Sequence, residues 1–322
     1  MRKVCIDMVY ELAKRDPRVV FVGSDLSPGL LKDMKAEFPD RYYMEGISEQ
    51  NLIGLAAGLA MDGYIPFVNT IATFLTRRCY EQVTLDLCLH RLPVRLIGNG
   101  GGLVYAPLGP THLAIEDMAI MRALPHMTVV AVSDAEEMKR LMLATLDWPD
   151  PLYIRVAKGG DPVVSSPEKG FTIGKAILLK DAVGRKGVQP VLLIATGVIT
   201  QRAFAAAKKL EEEGIGCRVL HLHTLKPLDT EAILHYTAQS SLILTAEEHV
   251  LNGGLGSAVV ECLADAGQLD VRVKRLGIPD VFAAHYGSQD DLLQTYGLQP
   301  EQIAQTMRSL LKEQGHAYPA VA

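Results

Sequence analysis

The sequence has no Cys-x-x-Cys pair, no excess of basic side chains and no run of about 18 uninterrupted apolar residues. Each absence removes a class of protein. The five cysteines, Cys5, Cys79, Cys88, Cys217 and Cys262, are odd in number and scattered. Neither a disulfide framework nor a zinc site is indicated, no bound metal is expected on this chain, and reduced structural thiols in a cytoplasmic protein are expected. At a formal net charge of -5 there is no cationic surplus to neutralise phosphates, which argues against a nucleic acid or an anionic membrane as partner. No membrane span is expected. The opening residues, MRKVCIDMVYELAKRDPRVV, read as an amphipathic helix entering a strand and carry no apolar signal core with a cleavage site. Internal repeats and low-complexity tracts are also missing.

What is present is the composition of an ordinary globular protein, 322 residues long, 48% hydrophobic and 21% charged. That length suits two domains with a core each. Short Val- and Ile-rich runs at 19–23, 65–69, 94–99, 128–132 and 152–156 read as strands. Helical patterns lie among them at 49–61, 74–90, 115–123 and 134–146. This alternation predicts a parallel sheet covered on both faces. Residues 157–190 break the rhythm with Gly, Pro, Ser and charge, and read as a linker with at most one strand or hairpin. The rhythm restarts with strands at 191–197, 217–223, 241–248 and 271–278, helices at 200–213, 229–238 and 256–266, and a polar helix near 300–313. The reading is two three-layer α/β domains, 1–160 and 188–322, joined by a linker at 161–187. Ligand crevices in such sheets lie at the carboxyl ends of strands.

The densest segment is YYMEGISEQNLIGLAAGLAMDG, 42–63. Ser48 stands as a helix N-cap and Glu49 opens a helix of small residues suited to close approach by another backbone. Taken alone, Glu49 does no more than complement the helix dipole. The segment is, however, similar to the one that bears the catalytic glutamate of transketolase and of 1-deoxy-D-xylulose-5-phosphate synthase. It resembles the beta subunit of pyruvate dehydrogenase more distantly. The resemblance implies a thiamine diphosphate pyrimidine-binding domain followed by a transketolase C-terminal domain. It also implies that Glu49 hydrogen-bonds the ring nitrogen of the cofactor's aminopyrimidine. A carboxylate in an apolar setting can share that proton and so favour the imino tautomer.

Further motifs agree. NTIATFLTRRCYEQVTLD, 69–86, resembles the family's aromatic segment. The resemblance implies that Phe74 stacks on the aminopyrimidine, with Arg77 and Tyr80 beside the cofactor. GPTHLAIEDMAIMRALPHM, 109–127, is close to the transketolase Gly-Pro-Thr-His pattern. It implies that His112, opening a helix, touches the sugar hydroxyls and assists proton transfer, while Glu116 and Asp117 cap and pack. Arg2 and Arg155 are candidate clamps for a substrate phosphate or carboxylate, and Ser24 and Asp25, in the segment GSDLSPG, are candidate substrate contacts. Asn99, Gly100 and Gly101 align with further ligand positions. The chain departs from the pattern twice. Leu108 stands where the family has an aspartate that reads an acceptor hydroxyl, and Gly29 stands where a serine binds phosphate. An apolar acceptor end makes a standard pentose-phosphate acceptor doubtful and leaves room for an unusual sugar or a natural product.

In the second half, LTAEEHVLNGGLGSAV contains a glycine pattern that is weak as a dinucleotide signal. His249 is a marginal crevice candidate; His221 and His223 read as structural. The family's Gly-Asp-Gly motif for the diphosphate and Mg2+ is missing. The resemblance therefore implies the C-terminal subunit of a split transketolase. A separate N-terminal subunit would hold Mg2+ and the diphosphate in an α2β2 assembly. The alternatives are a deoxyxylulose phosphate synthase-like enzyme, a 2-oxo acid dehydrogenase beta subunit, or a catalytically silent scaffold.

Overall fold

The computed structural model describes residues 1–26, 29–182, 189–283 and 286–314. Ser27 and Pro28, the linker stretch 183–187 and the end of the second domain from 315 lie outside the described residues. The first sheet contains β1 (Val19–Gly23), β2 (Tyr42–Met44), β3 (Ile65–Ile71), β4 (Arg95–Asn99), β5 (Thr128–Val130) and β6 (Leu152–Val156). The second contains β7 (Ile177–Lys180), β8 (Val191–Ala195), β9 (Cys217–His221), β11 (Leu242–Val250) and β12 (Arg272–Ile278). A short strand, β10 (Thr224–Lys226), comes from the second half of the chain but joins the first sheet. The orders are β10-β5-β6-β4-β3-β1-β2 and β12-β11-β8-β9-β7. Among the described residues only the edge strands β10 and β7 run antiparallel.

Strands buried on both faces explain the continuous apolar runs. Along β1, Val19 and Phe21 face the layer of α1 (Arg2–Arg15), while Val22 faces α3 (Glu49–Met61). Between them in sequence is α2 (Lys32–Glu37). The expected helix at 74–90 is broken into α4 (Ala72–Thr76), α5 (Tyr80–Gln82) and a π-helical stretch, Val83–Cys88. The break at 77–79 turns two neighbouring arginines in different directions. The remaining helices are α6 (Asp117–Ala123), α7 (Ala135–Ala144), α8 (Ile199–Glu212), α9 (Thr230–Thr237), α10 (Leu255–Asp265), α11 (Gln289–Thr295) and α12 (Pro300–Glu313). Ser48 does occupy the N-cap position of α3, but its hydroxyl donates to Glu45 O at 3.0 Å instead of capping.

Two separate cores were expected, yet one apolar cluster runs through both halves. Met121, Met127 and Val129 of the first half share it with Ile194, Leu222 and Leu225 of the second. A polar junction reinforces the contact. The fully buried Asp134 caps α7 through Glu136 N and Glu137 N and also receives Val164 N and Ser165 N from the linker. Glu137 meets the imidazole of His221 at 2.9 Å. Burial opposes its ionisation, but the two histidines beside it and the Ser133 amide hold its carboxyl down at about 2.

Next to this pair His223 stacks on Phe171, with ring centres 4.3 Å apart, and burial pushes its imidazole down from 6.5 to about 4. In that window the unfolded chain takes up a proton that the folded chain does not. The stability contributed by a neutral His223 is thus complete above 6.5 and lost as pH falls toward 4. Denaturant unfolding is expected to lose on the order of 3 kcal/mol over this range through His223. In His223→Gln that part of the slope should vanish; an unchanged slope would assign it to other groups.

Candidate active site

The first sheet reverses its winding between β1 and β3, and the carboxyl ends of strands at such a point are where open α/β sheets place ligand crevices. Glu49 follows β2, Phe74 follows β3 and His112 follows β4. Glu49 is 3% exposed at the first turn of α3. Arg78 joins it to the aromatic segment: its Nη1 donates to Glu49 Oε2 at 3.0 Å, and its guanidinium lies 4.1 Å from the centre of the Phe74 ring. The edge of Phe74 meets the His112 imidazole, ring centres 5.3 Å apart. Glu49, Arg78, Phe74 and His112 thus form one connected row. Arg78 is not among the residues expected from the sequence: α4 ends at Thr76, and the turn at 77–79, which no local pattern announces, brings Arg78 over Phe74.

Arg77, expected beside the cofactor, points the other way. It forms an ion pair with Glu116 and donates to Pro110 O and Leu113 O, 3.2 and 2.9 Å away. It therefore anchors the loop that carries His112. Tyr80, also expected beside the cofactor, donates its hydroxyl to Ile120 O at 3.0 Å and ties α5 to α6.

His112 does not open a helix. It sits in a turn, half-buried, with Nδ1 2.9 Å from Thr111 Oγ1, and α6 starts five residues later at Asp117. Its Nε2 has no partner among the described residues. Tyr105 approaches His112 edge-on from the other side, and Arg2 Nη1 lies 3.4 Å from the Tyr105 hydroxyl. Leu108 is 51% exposed on the same loop. Asp25 is exposed, and so is Gly29.

Two substrate candidates, Ser24 and Arg155, are engaged in internal contacts in this structure. The Ser24 hydroxyl is fully buried and donates to Thr70 Oγ1 at 2.9 Å. Arg155, a candidate clamp for a substrate phosphate or carboxylate, is buried against Asp117 at 2.9 Å and also donates to Ala114 O and Glu248 O. Burial alone would weaken its basicity, but the neighbouring Asp117 and Glu248 carboxylates hold it above its ordinary value.

At the carboxyl end of β4 Asn99 donates to Asn69 Oδ1 and Thr70 O, while its own Oδ1 and the hydroxyl of Thr73 are buried without a partner among the described residues. Unpartnered buried polar atoms at the ends of these strands suit a polar ligand such as an aminopyrimidine. Among the described residues no group of three or more His, Cys, Asp or Glu side chains could hold a metal ion. The glycine loop of the second half does not present a free helix N-terminus. Glu247 accepts Leu255 N and Gly256 N at 2.6 and 2.8 Å, filling the position a dinucleotide phosphate would need. His249 is buried away from the crevice and accepts from Ala119 N at 3.2 Å.

The comparisons with known proteins follow the same division. The transketolase pyrimidine-binding domain family matches residues 1–160, and the transketolase C-terminal domain family matches 182–303. A 6-deoxy-6-sulfo-D-fructose transketolase subunit, SqwH, from Clostridium sp. (strain MSTE9) is 35% identical over 94% of this chain and 92% of its own length. An apulose-4-phosphate transketolase subunit from Phocaeicola vulgatus is 36% identical over 97% of both chains. A solved structure described as a split gene transketolase, inactive beta4 tetramer, superposes with a TM-score of 0.87 at 35% identity, covering 97% of this chain and 98% of its own.

Gly100 underlies the His112 environment. Its φ is +76°, and a Cβ there would come within 2.0 Å of the Tyr105 ring. Gly100→Ala is expected to cost about 2–3 kcal/mol in urea unfolding, from the φ and the collision together. Tyr105→Ala in the same chain should recover part of that loss. Equal losses in the single and double variants would refute the collision.

Proposed function

This chain belongs to the transketolase family, as a subunit of the split type, and from that premise we propose that it supplies the proton-handling half of a thiamine diphosphate-dependent ketol transfer. A two-carbon unit would pass from a ketose donor to an aldehyde acceptor. The observation that carries this reading is the row Glu49–Arg78–Phe74–His112. When bound, thiamine diphosphate supplies the carbon nucleophile.

The chain's own residues bind, orient and move protons. Glu49 holds a proton at the aminopyrimidine ring nitrogen. Phe74 gives that ring a face to stack on, worth about 1 kcal/mol. Arg78 keeps the carboxylate and the aromatic ring in register. His112, with Nδ1 engaged by Thr111, can hold or pass a proton through Nε2 at a substrate oxygen. Arg2 and Asp25 stand as candidate contacts for the rest of the substrate. Leu108 gives the acceptor end an apolar surface, which favours a specialised sugar over a standard pentose phosphate.

No described part of the chain fits the diphosphate with its metal, so a separate N-terminal subunit would hold both, together with Mg2+, in an α2β2 assembly. The related beta4 tetramer, inactive by its own description, supports dependence on a second chain. Five free, buried cysteines suit a cytoplasmic setting.

Two expected outcomes test the reading. Thiamine diphosphate binding and ketol transfer should require co-expression with the diphosphate-binding subunit; full turnover by this chain alone would remove the split-subunit proposal. In the complete assembly Glu49→Gln should lower kcat by about 10²–10⁴-fold while the assembly stays intact by sedimentation. Near-normal turnover would refute the role given to Glu49.

A further inference from the structure

The loop bearing His112 belongs to the first domain, but its neck is gripped by the second. Gly102 N donates to Ala114 O at 2.8 Å, closing the segment 102–114 that carries Tyr105, Leu108 and His112. Three consecutive residues at the end of β11 hold that closure. Glu248 Oε1 accepts Leu103 N at 2.7 Å, His249 Nε2 accepts Ala119 N at 3.2 Å, and Val250 N donates to Ile115 O at 2.8 Å. Arg155 Nη2 bridges the two sides, 2.9 Å from both Ala114 O and Glu248 O.

Glu248 is the unusual member of this set. It is 2% exposed, and Gln289 Nε2 donates to the same Oε1 at 2.8 Å. Its approach to the loop requires glycine at 102, where φ is +69° and a Cβ would lie 2.5 Å from the Glu248 side chain. Burying a carboxylate is costly unless it is paired and hydrogen-bonded. A simple packing contact between domains could be made by apolar side chains at no such cost. A charged acceptor supplies direction instead: it fixes where the Leu103 amide points, and with it one side of the neck whose other side leads to His112.

We propose that Glu248 is a positioning residue for His112, through which the second domain sets the geometry of proton transfer without touching substrate or cofactor. The kinetic consequence rests on the ketol-transfer reading given above. Contacts between His112 and its neighbours Thr111, Phe74 and Tyr105 all lie in the first domain, so the influence of Glu248 passes through the loop backbone.

The test uses the complete assembly with the diphosphate-binding subunit. Glu248→Ala should lower kcat by about 10- to 100-fold with the donor KM within about twofold, since a small displacement of a positioned group has that effect. Glu248→Gln, which keeps an acceptor oxygen for Leu103 N, should restore most of the rate. In a His112→Ala background the same Glu248→Ala change should cost less than about threefold, because the two residues act as one unit. Equal losses in both backgrounds would overturn the proposal. Amide hydrogen exchange provides a second readout that needs no activity: Leu103 should exchange faster in Glu248→Ala while β3 and β4 stay protected, and unchanged exchange at Leu103 would also overturn it. If Glu248→Ala does not fold, Gln289→Ala removes only the support of the carboxylate and should give the same pattern more weakly, its absence counting against the proposal. An intact wild-type assembly without ketol transfer would defeat the proposed function, leaving the exchange result to decide the brace.

Discussion

The buried ion pair between Arg155 and Asp117 is the contact on which the site's architecture converges. Arg155 is the penultimate residue of β6, Asp117 starts α6, and the second domain enters through the Glu248 carbonyl. Tyr153, two residues before Arg155 and on the same face of β6, donates its hydroxyl to the same Asp117 carboxylate at 2.7 Å. Burial and then the adjacent Asp117 charge raise the Tyr153 phenol well above its ordinary range, which keeps it a donor. Breaking either half of such a pair would leave an uncompensated charge in the interior. Strand, helix and loop are thereby held in one arrangement, and the His112 loop is suspended from it.

Much of the fold was legible because parallel strands buried on both faces leave an unmistakable apolar signature. The α3 helix was placed at 49–61, as observed, by its small residues and the glutamate at its start. What escaped was short or depended on distant partners. β10 has three residues, and its place is set by pairing with Val129 and Val130 of the other domain, which no local pattern announces. α11 is a seven-residue helix started by a capping box at Ser288 and Asp291, a short polar signal easily taken for loop. The break inside 74–90 came from tertiary contacts overriding a helical pattern.

Motifs name the candidate site residues, but they do not say which way each side chain points. Glu49, Phe74 and His112 were identified from motifs, and they are brought into one row. Adjacent arginines gave no hint of which would face the crevice, since the helix break between α4 and α5 decides that. Arg77 is spent on the His112 loop, and Arg78 faces Glu49. Ser24 is singled out by the resemblance of its segment and Arg155 by its place after a strand, and in this structure both side chains are buried and occupied by internal partners. That position in the sheet marks a neighbourhood, and only the surrounding side chains say whether a given group is offered outward or used internally.

The strand β10 has a consequence for how the molecule comes into being. It completes the edge of the first sheet beside β5, with Ala131 N donating to His223 O at 2.8 Å. During synthesis the first sheet has all its other strands by residue 156, yet its last edge cannot close until residue 226 has emerged. Domains made in order usually fold as units, the earlier before the later. Here the earlier unit must wait for the later one with an open sheet edge at β5, a place where another chain could pair. Cutting the linker would therefore not release two finished halves: the amino-terminal piece would keep a missing strand, and the carboxyl-terminal piece a strand without a sheet.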